Sequence, residues 1–213
     1  MLKGSVLGPM VICGICFIES NLSFLPEIGV KDSKKISPQK RHQLAKILKK
    51  KCHSLKIIEI SAQEIDEREL KKITLNRLEE LKMAEIINDL RPDIIYIDAA
   101  DVNEERFGVS IMNLLDYKPK KIISKHKADD IFPIVSASSI VAKDRRDTLI
   151  EKMHKNYGFF GSGYPSDTRT IEFLRGYAKK YKKVPKIARK SWETTKKIIN
   201  EEVSTRKITE FLN

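Results

Sequence analysis

The apolar run Ile94, Ile95, Tyr96 and Ile97 stops on Asp98. Four such residues in succession read as a strand, and its end is a costly place for a charge. Burying a bare carboxylate costs several kcal/mol unless a cation or hydrogen-bond donors compensate it. A second carboxylate lies in the stretch HKADDIFPIVSASSIVAK, from His126 to Lys143. There a basic pair, Asp129 and a long apolar run with many small side chains follow one another. The chain around these two acids is strongly basic, with 41 Lys and Arg against 29 Asp and Glu, a formal charge of +12. Two strategically placed carboxylates on such a chain point to a metal-dependent enzyme acting on nucleic acid.

The flanking pattern predicts an α/β fold. Strands are expected over Met10 to Ile18, Ser54 to Ile60, Asp93 to Asp98 and Lys120 to Ser124. Helices are expected from Ser37-Pro38 to about Lys51, over Gln63 to Ile73 and over Leu75 to Leu90, the last stopped by Arg91-Pro92. Further helices are expected over Glu104 to Leu115, Phe132 to Tyr157, Asp167 to Tyr181 and Ser191 to Val203, with a glycine-rich loop from Gly158 to Pro165. Strands alternating with helices predict a layered sheet, and the purely helical end predicts an extension from about residue 158 packed on that core. One domain over 1–203 and a tail over 204–213 is the expected division.

Basic residues fall in two tracts. Lys31 to Lys56 holds ten Lys and Arg and one acid, Asp32; Arg175 to Lys197 holds ten and one acid, Glu193. Tyr177, Tyr181 and Trp192 interleave the second. Such tracts suit a phosphate backbone with sugars or bases, or they are solvated helix faces with the aromatics turned inward. Cys13 and Cys16 have the CxxC spacing of zinc and redox sites, but residues three apart on a strand face opposite sides and cannot share a metal. Cys52 stands alone. The longest apolar run, Met10 to Ile18, is too short to span a membrane, and no signal-peptide pattern is present, so a cytoplasmic location is expected.

Six segments, in order, resemble ribonuclease HII of the archaeal type. They are SVLGPMVICG (Ser5–Gly14), GVKDSKKIS (Gly29–Ser37), IYIDAADVNEERF (Ile95–Phe107), HKADDIFPIVSASSIVAKDRRD (His126–Asp147), GSGYPSD (Gly161–Asp167) and ARKSWET (Ala188–Thr194). The resemblance implies a ribonuclease H-like mixed sheet flanked by helices. It implies cleavage of the RNA strand of RNA–DNA hybrids and at ribonucleotides embedded in DNA, leaving 5′-phosphate and 3′-hydroxyl ends. It implies two Mg2+ or Mn2+ ions per active site, held by four acids. Asp98 matches the third acid and Asp129 the fourth. Tyr164 matches a tyrosine that stacks on the sugar at the RNA–DNA junction. Asp32, Ser33 and Lys34 match a segment lining the phosphate groove, Lys3 and Gly4 match the end of a glycine-arginine-glycine turn, and Lys143 matches a lysine of the long helix. Asp101, Asp130 and Asp147 read as surface or capping acids.

The family pattern opens with a mid-sheet strand ending in Asp-Glu, the first two acids. Here no Asp or Glu precedes Glu19, and Leu2 stands at the first glycine of the turn. A start upstream of Met1, a shortened chain, and a member that binds hybrids without cutting them all remain open. The chain as written is therefore expected to be catalytically poor. The tail residues Ile208, Phe211 and Leu212 have the i, i+3, i+4 spacing of a peptide that docks on a sliding clamp.

Overall fold

The computed structural model describes residues 4–30 and 36–204. In chain order the elements are β1 (Met10–Cys16), α1 (Phe24–Glu27), α2 (Pro38–Lys51), β2 (Ser54–Ile60), α3 (Ala62–Leu70), α4 (Leu75–Leu90), β3 (Ile94–Asp98), α5 (Glu104–Met112), β4 (Lys121–Lys125), α6 (Ala128–Ile131), α7 (Pro133–Tyr157), α8 (Thr168–Tyr181) and α9 (Glu193–Ile199). They fall into two compact units, one of residues 11–59 and 74–147, the other of residues 4–10, 60–73 and 148–204. Among the described residues no helix is long and apolar enough to cross a membrane.

The first unit carries the strands. β1 pairs with β2, and β3 runs parallel to β4 with Ile95 opposite Ile122 and Asp98 opposite Lys125. Alternation along β3 buries Ile95 and Ile97 while Ile94 and Asp98 stay exposed. The two buried isoleucines pack with Phe107 and Ile111 of α5 and Ile87 of α4. Truncating either fully buried α5 side chain to alanine is expected to cost about 2–5 kcal/mol. A separate core joins Ile15 of β1, Leu44, Ala45 and Leu48 of α2, and Ala137, Ile140 and Val141 of α7. Ala137, a small side chain of the Ile134–Ala142 run, thus serves packing in one core with α2. Ser136, fully buried, donates its hydroxyl to the Val30 carbonyl.

Local chemistry sets the helix starts. Ser37 Oγ accepts the Lys40 N–H, with Pro38 in the first turn. Thr74 caps α4 at 3.1 Å and Asn103 caps α5 at 2.9 Å. Arg91, in the left-handed region (φ 47°) ahead of Pro92, ends α4 where the sequence places its end.

The second unit centres on Val6, Leu7, Ile150, Phe160, Leu174, Ala178, Val184, Ile187, Ala188 and Ile198. Its opening segment is tied to residues 187–189: Leu7 bridges Ala188, Gly8 N–H donates to the Ile187 carbonyl, and Arg189 N–H donates to the Val6 carbonyl. Several boundaries differ from the sequence expectation, among them α5, which ends at Met112 rather than Leu115. β1 ends at Cys16, because the chain tightens into a 3-10 turn over Glu19–Asn21. α3 ends at Leu70, because Lys72 takes φ 53° and Ile73 N–H turns back to the Arg68 carbonyl, closing the helix. The last helix is α9 alone; Asn200–Ser204 continues as a wider π turn.

Candidate active site

Parallel pairing brings the ends of β3 and β4 to the same side. After β4 the chain turns at Lys127 (φ 52°) into the single turn α6. Its first amide, Ala128 N–H, donates to Asp98 Oδ1 at 3.0 Å. The next residue is Asp129, buried at 7% exposure. The Asp98 carboxylate is thus bonded to the amide one residue before Asp129, the other acid that the sequence singles out. The burden of burial falls on Asp129, while Asp98 is exposed, because period-two alternation turns it away from Ile97. Around them the charges are paired locally. Lys125 meets the Glu104 carboxylate, which also accepts His126 N–H at 2.9 Å. These contacts, Lys125 first, hold the Glu104 carboxyl below its ordinary range. Asp101 accepts Asn103 N–H and a two-pronged bond from Arg106, so it caps α5's entry. Asp147 pairs with Arg41.

Carboxylate oxygens suit hard cations, and Mg2+ is commonly held by one or two carboxylates plus substrate phosphates and water. Asp98 and Asp129 fit one such cation on those terms. Among the described residues no group of three or more His, Cys, Asp or Glu could hold a metal ion, so a second cation calls for further acids.

Tyr164 belongs to the second unit and is 38% exposed. Its loop is built rigidly. Gly161 (φ 75°) lies so close to Asp167 that an added Cβ would stand 2.5 Å from Oδ2. Asp167 caps α8 and accepts Ser162 N–H at 2.8 Å and the Arg169 guanidinium at 2.9 Å. Arg169 foremost, then Ser162 N–H, hold the Asp167 carboxyl well below the usual carboxylate range. Gly163 N–H donates to Thr170 Oγ1, and the Gly163 carbonyl accepts both Val6 and Leu7 N–H.

Gly4 faces Trp192: its carbonyl accepts the indole N–H at 3.2 Å, and a Cβ there would meet the indole at 3.3 Å. Trp192, partly buried, packs on the core and lies between Arg68 and Arg189, with guanidinium carbons 5.3 and 4.9 Å from its ring. Lys143 is half-buried on α7. Its neighbour Asp144, missed in the sequence, is buried and bonded to His42 at 2.8 Å and Lys49 at 3.2 Å. Cys13 and Cys16 are free thiols on β1, and burial pushes Cys13 up to about 12. Lys3, the Asp32, Ser33 and Lys34 segment, and Ile208, Phe211 and Leu212 lie outside the described residues.

The family model for ribonuclease HII matches residues 3–195. The chain belongs to the ribonuclease HII family. It is 48% identical over 198 residues to ribonuclease HII of Thermococcus onnurineus, covering 92% of this chain and 86% of that one. Among solved structures, ribonuclease H2 of Pyrococcus horikoshii matches with a TM-score of 0.88 and 42% identity, over 94% of both chains. Ribonuclease HII of Archaeoglobus fulgidus, solved in complex with PCNA, matches with a TM-score of 0.83 and 36% identity, over 92% of both. The α/β fold of this family member is therefore the ribonuclease H-like one that the sequence motifs imply.

Proposed function

We propose that the chain is a metal-dependent endonuclease that hydrolyses the RNA strand of RNA–DNA hybrids and cuts at ribonucleotides embedded in DNA, giving 5′-phosphate products. One observation carries this reading: in a ribonuclease HII chain, the Asp98 carboxylate sits on the Ala128 amide, one residue before buried Asp129. Asp98 and Asp129 would be two of the ligands of a site for Mg2+ or Mn2+, two ions per site once further acids complete it, which when bound supply an activated water and stabilise the leaving oxygen. The chain's own residues orient the rest. The Ala128 N–H holds the Asp98 carboxylate, and Asp129 follows in the α6 turn. The basic tracts, with Lys3, Gly4, Ser33, Lys34 and Lys143, take the phosphates, so binding weakens steeply with salt. The Tyr164 ring rests on the sugar and senses the 2′-hydroxyl that separates RNA from DNA.

A second reading keeps the binding and drops the cutting; the lack of any group of three metal-binding side chains among the described residues favours it. The test is incision of a duplex with one ribonucleotide by an active form of the chain and by its Asp98→Asn and Asp129→Asn variants. Magnesium-dependent products with 5′-phosphate ends, reduced at least about a hundredfold in each variant, support the nuclease. Near-normal rates in either variant refute the assignment of these carboxylates.

The tail supplies a partner. Ile208, Phe211 and Leu212 dock on a sliding clamp, as supported by the PCNA complex of the Archaeoglobus fulgidus relative. A clamp in the cytoplasm would carry the nuclease to newly copied DNA. Calorimetric titration of clamp with the full chain should give binding that a chain ending at Val203 lacks; equal binding by both removes this partner.

A further inference from the structure

The peptide of Gly163 ties together two stretches far apart in the chain. Its carbonyl accepts Val6 N–H at 2.8 Å and Leu7 N–H at 3.1 Å, which fixes the segment that begins at Gly4. Its N–H donates to Thr170 Oγ1 at 3.0 Å, and the same hydroxyl donates to the Phe160 carbonyl at 2.9 Å. Thr170 is fully buried in the first turn of α8. One hydroxyl thus closes the loop from Phe160 to Gly163, as donor to one end and acceptor from the other. The neighbouring peptides are held as well. Asp167 N–H donates to the Tyr164 carbonyl at 3.1 Å. His154 Nε2 donates to the Gly161 carbonyl at 2.9 Å, with its ring against Phe160 and Phe159.

A buried hydroxyl is costly unless its bonds are made, and both bonds of Thr170 go to the loop. Valine has nearly the same shape and would fill the site equally well, so what the hydroxyl adds is position. Gly163 directly precedes Tyr164, and whatever fixes the Gly163 peptide sets where the Tyr164 side chain starts. We propose that Thr170 is a positioning residue: through the Gly163 peptide it sets the Tyr164 ring, in fixed relation to the Gly4–Leu7 segment that the same peptide holds. This rests on the nucleic-acid reading above, which gives Tyr164 and Gly4 to the substrate, and adds the group that keeps them in register. Preset groups lose little freedom when a substrate binds, and a shift of about 1 Å in such a group is enough to weaken its contact.

The test is equilibrium binding, followed by fluorescence anisotropy in EDTA, to a DNA duplex with one ribonucleotide and to the same duplex entirely of DNA. The ratio of the two affinities is the readout, and the parent protein should prefer the ribonucleotide. Thr170→Val should lower that preference about fivefold and leave the all-DNA affinity within about twofold. Thr170→Ser, which keeps the hydroxyl, should keep the preference. In a Tyr164→Ala background less than about half of the Thr170→Val loss should remain, because Thr170 acts through that ring. In the free protein, amide hydrogen exchange read by NMR should quicken at Val6 and Leu7 in Thr170→Val and not in Thr170→Ser. A parent-like preference in Thr170→Val, equal weakening on both duplexes, a loss that survives Tyr164→Ala, or unchanged exchange at Val6 and Leu7 overturns the inference and leaves the nucleic-acid reading standing. A parent that binds neither duplex, or both alike, overturns that reading and the inference with it.

Discussion

Gly161→Ala should damage the Tyr164 loop twice over. At φ 75° alanine pays the left-handed penalty, and its Cβ would stand 2.5 Å from Asp167 Oδ2 and 2.9 Å from Cγ. The carboxylate cannot simply swing aside, because Ser162 N–H and Arg169 hold it. Relieving the clash means releasing the cap of α8. The left-handed penalty of about 1–2 kcal/mol and a lost cap of about 0.5–2 kcal/mol together give roughly 1.5–4 kcal/mol. Gly158 is the built-in control: its φ is 80°, but nothing lies within 4 Å of its would-be Cβ, so Gly158→Ala carries only the first part. Urea unfolding followed by circular dichroism measures both. Gly161→Ala should cost clearly more than Gly158→Ala, and in an Asp167→Ala background the excess should vanish, since neighbours that clash do not add. Equal costs for the two alanines, or an excess that survives Asp167→Ala, would refute the reasoning.

Tyr164→Ala, in an active form, should reduce cutting at a lone ribonucleotide more than it reduces binding, measured by incision rate against anisotropy; a parallel fall in both makes Tyr164 a packing residue of its loop. Asp167 has a folded-state value lowered chiefly by Arg169. Its contribution to stability is therefore present above the ordinary value of 3.8 and is lost as pH falls below that toward the folded value. Asp167→Asn should flatten the stability profile below about pH 4, read by thermal scans in acid buffers. Cys13, pushed up to about 12 by burial, should resist iodoacetamide in the native protein at pH 8 and react once unfolded.

Much of this was legible in the sequence. The bounds of β2 and α4 match the expectation, since β-branched runs, Thr74 and Arg91-Pro92 are local signals. Other features depend on contacts that no local pattern carries. A continuous run from Ile94 to Ile97 does not reveal which face is buried, so the exposure of Asp98 appears only once β3 lies on Phe107 and Ile111. α6 is a single turn whose first amide is taken up by a residue thirty positions away, which is why no helix is expected there from the sequence. α3 overran because lysine, not glycine, takes the left-handed position at 72. Phe159 and His154 gave no sequence signal, since what holds them comes from Phe160, Gly161 and Arg169 together.

The central proposal is that Asp98 and Asp129 are two members of a carboxylate site that cuts at ribonucleotides in DNA. The most direct test compares incision of a single-ribonucleotide duplex by the protein and by its Asp98→Asn variant in Mg2+, in Mn2+ and in EDTA. The account predicts metal-dependent incision that Asp98→Asn reduces at least about a hundredfold. Incision that persists in EDTA, or that survives Asp98→Asn, would contradict it.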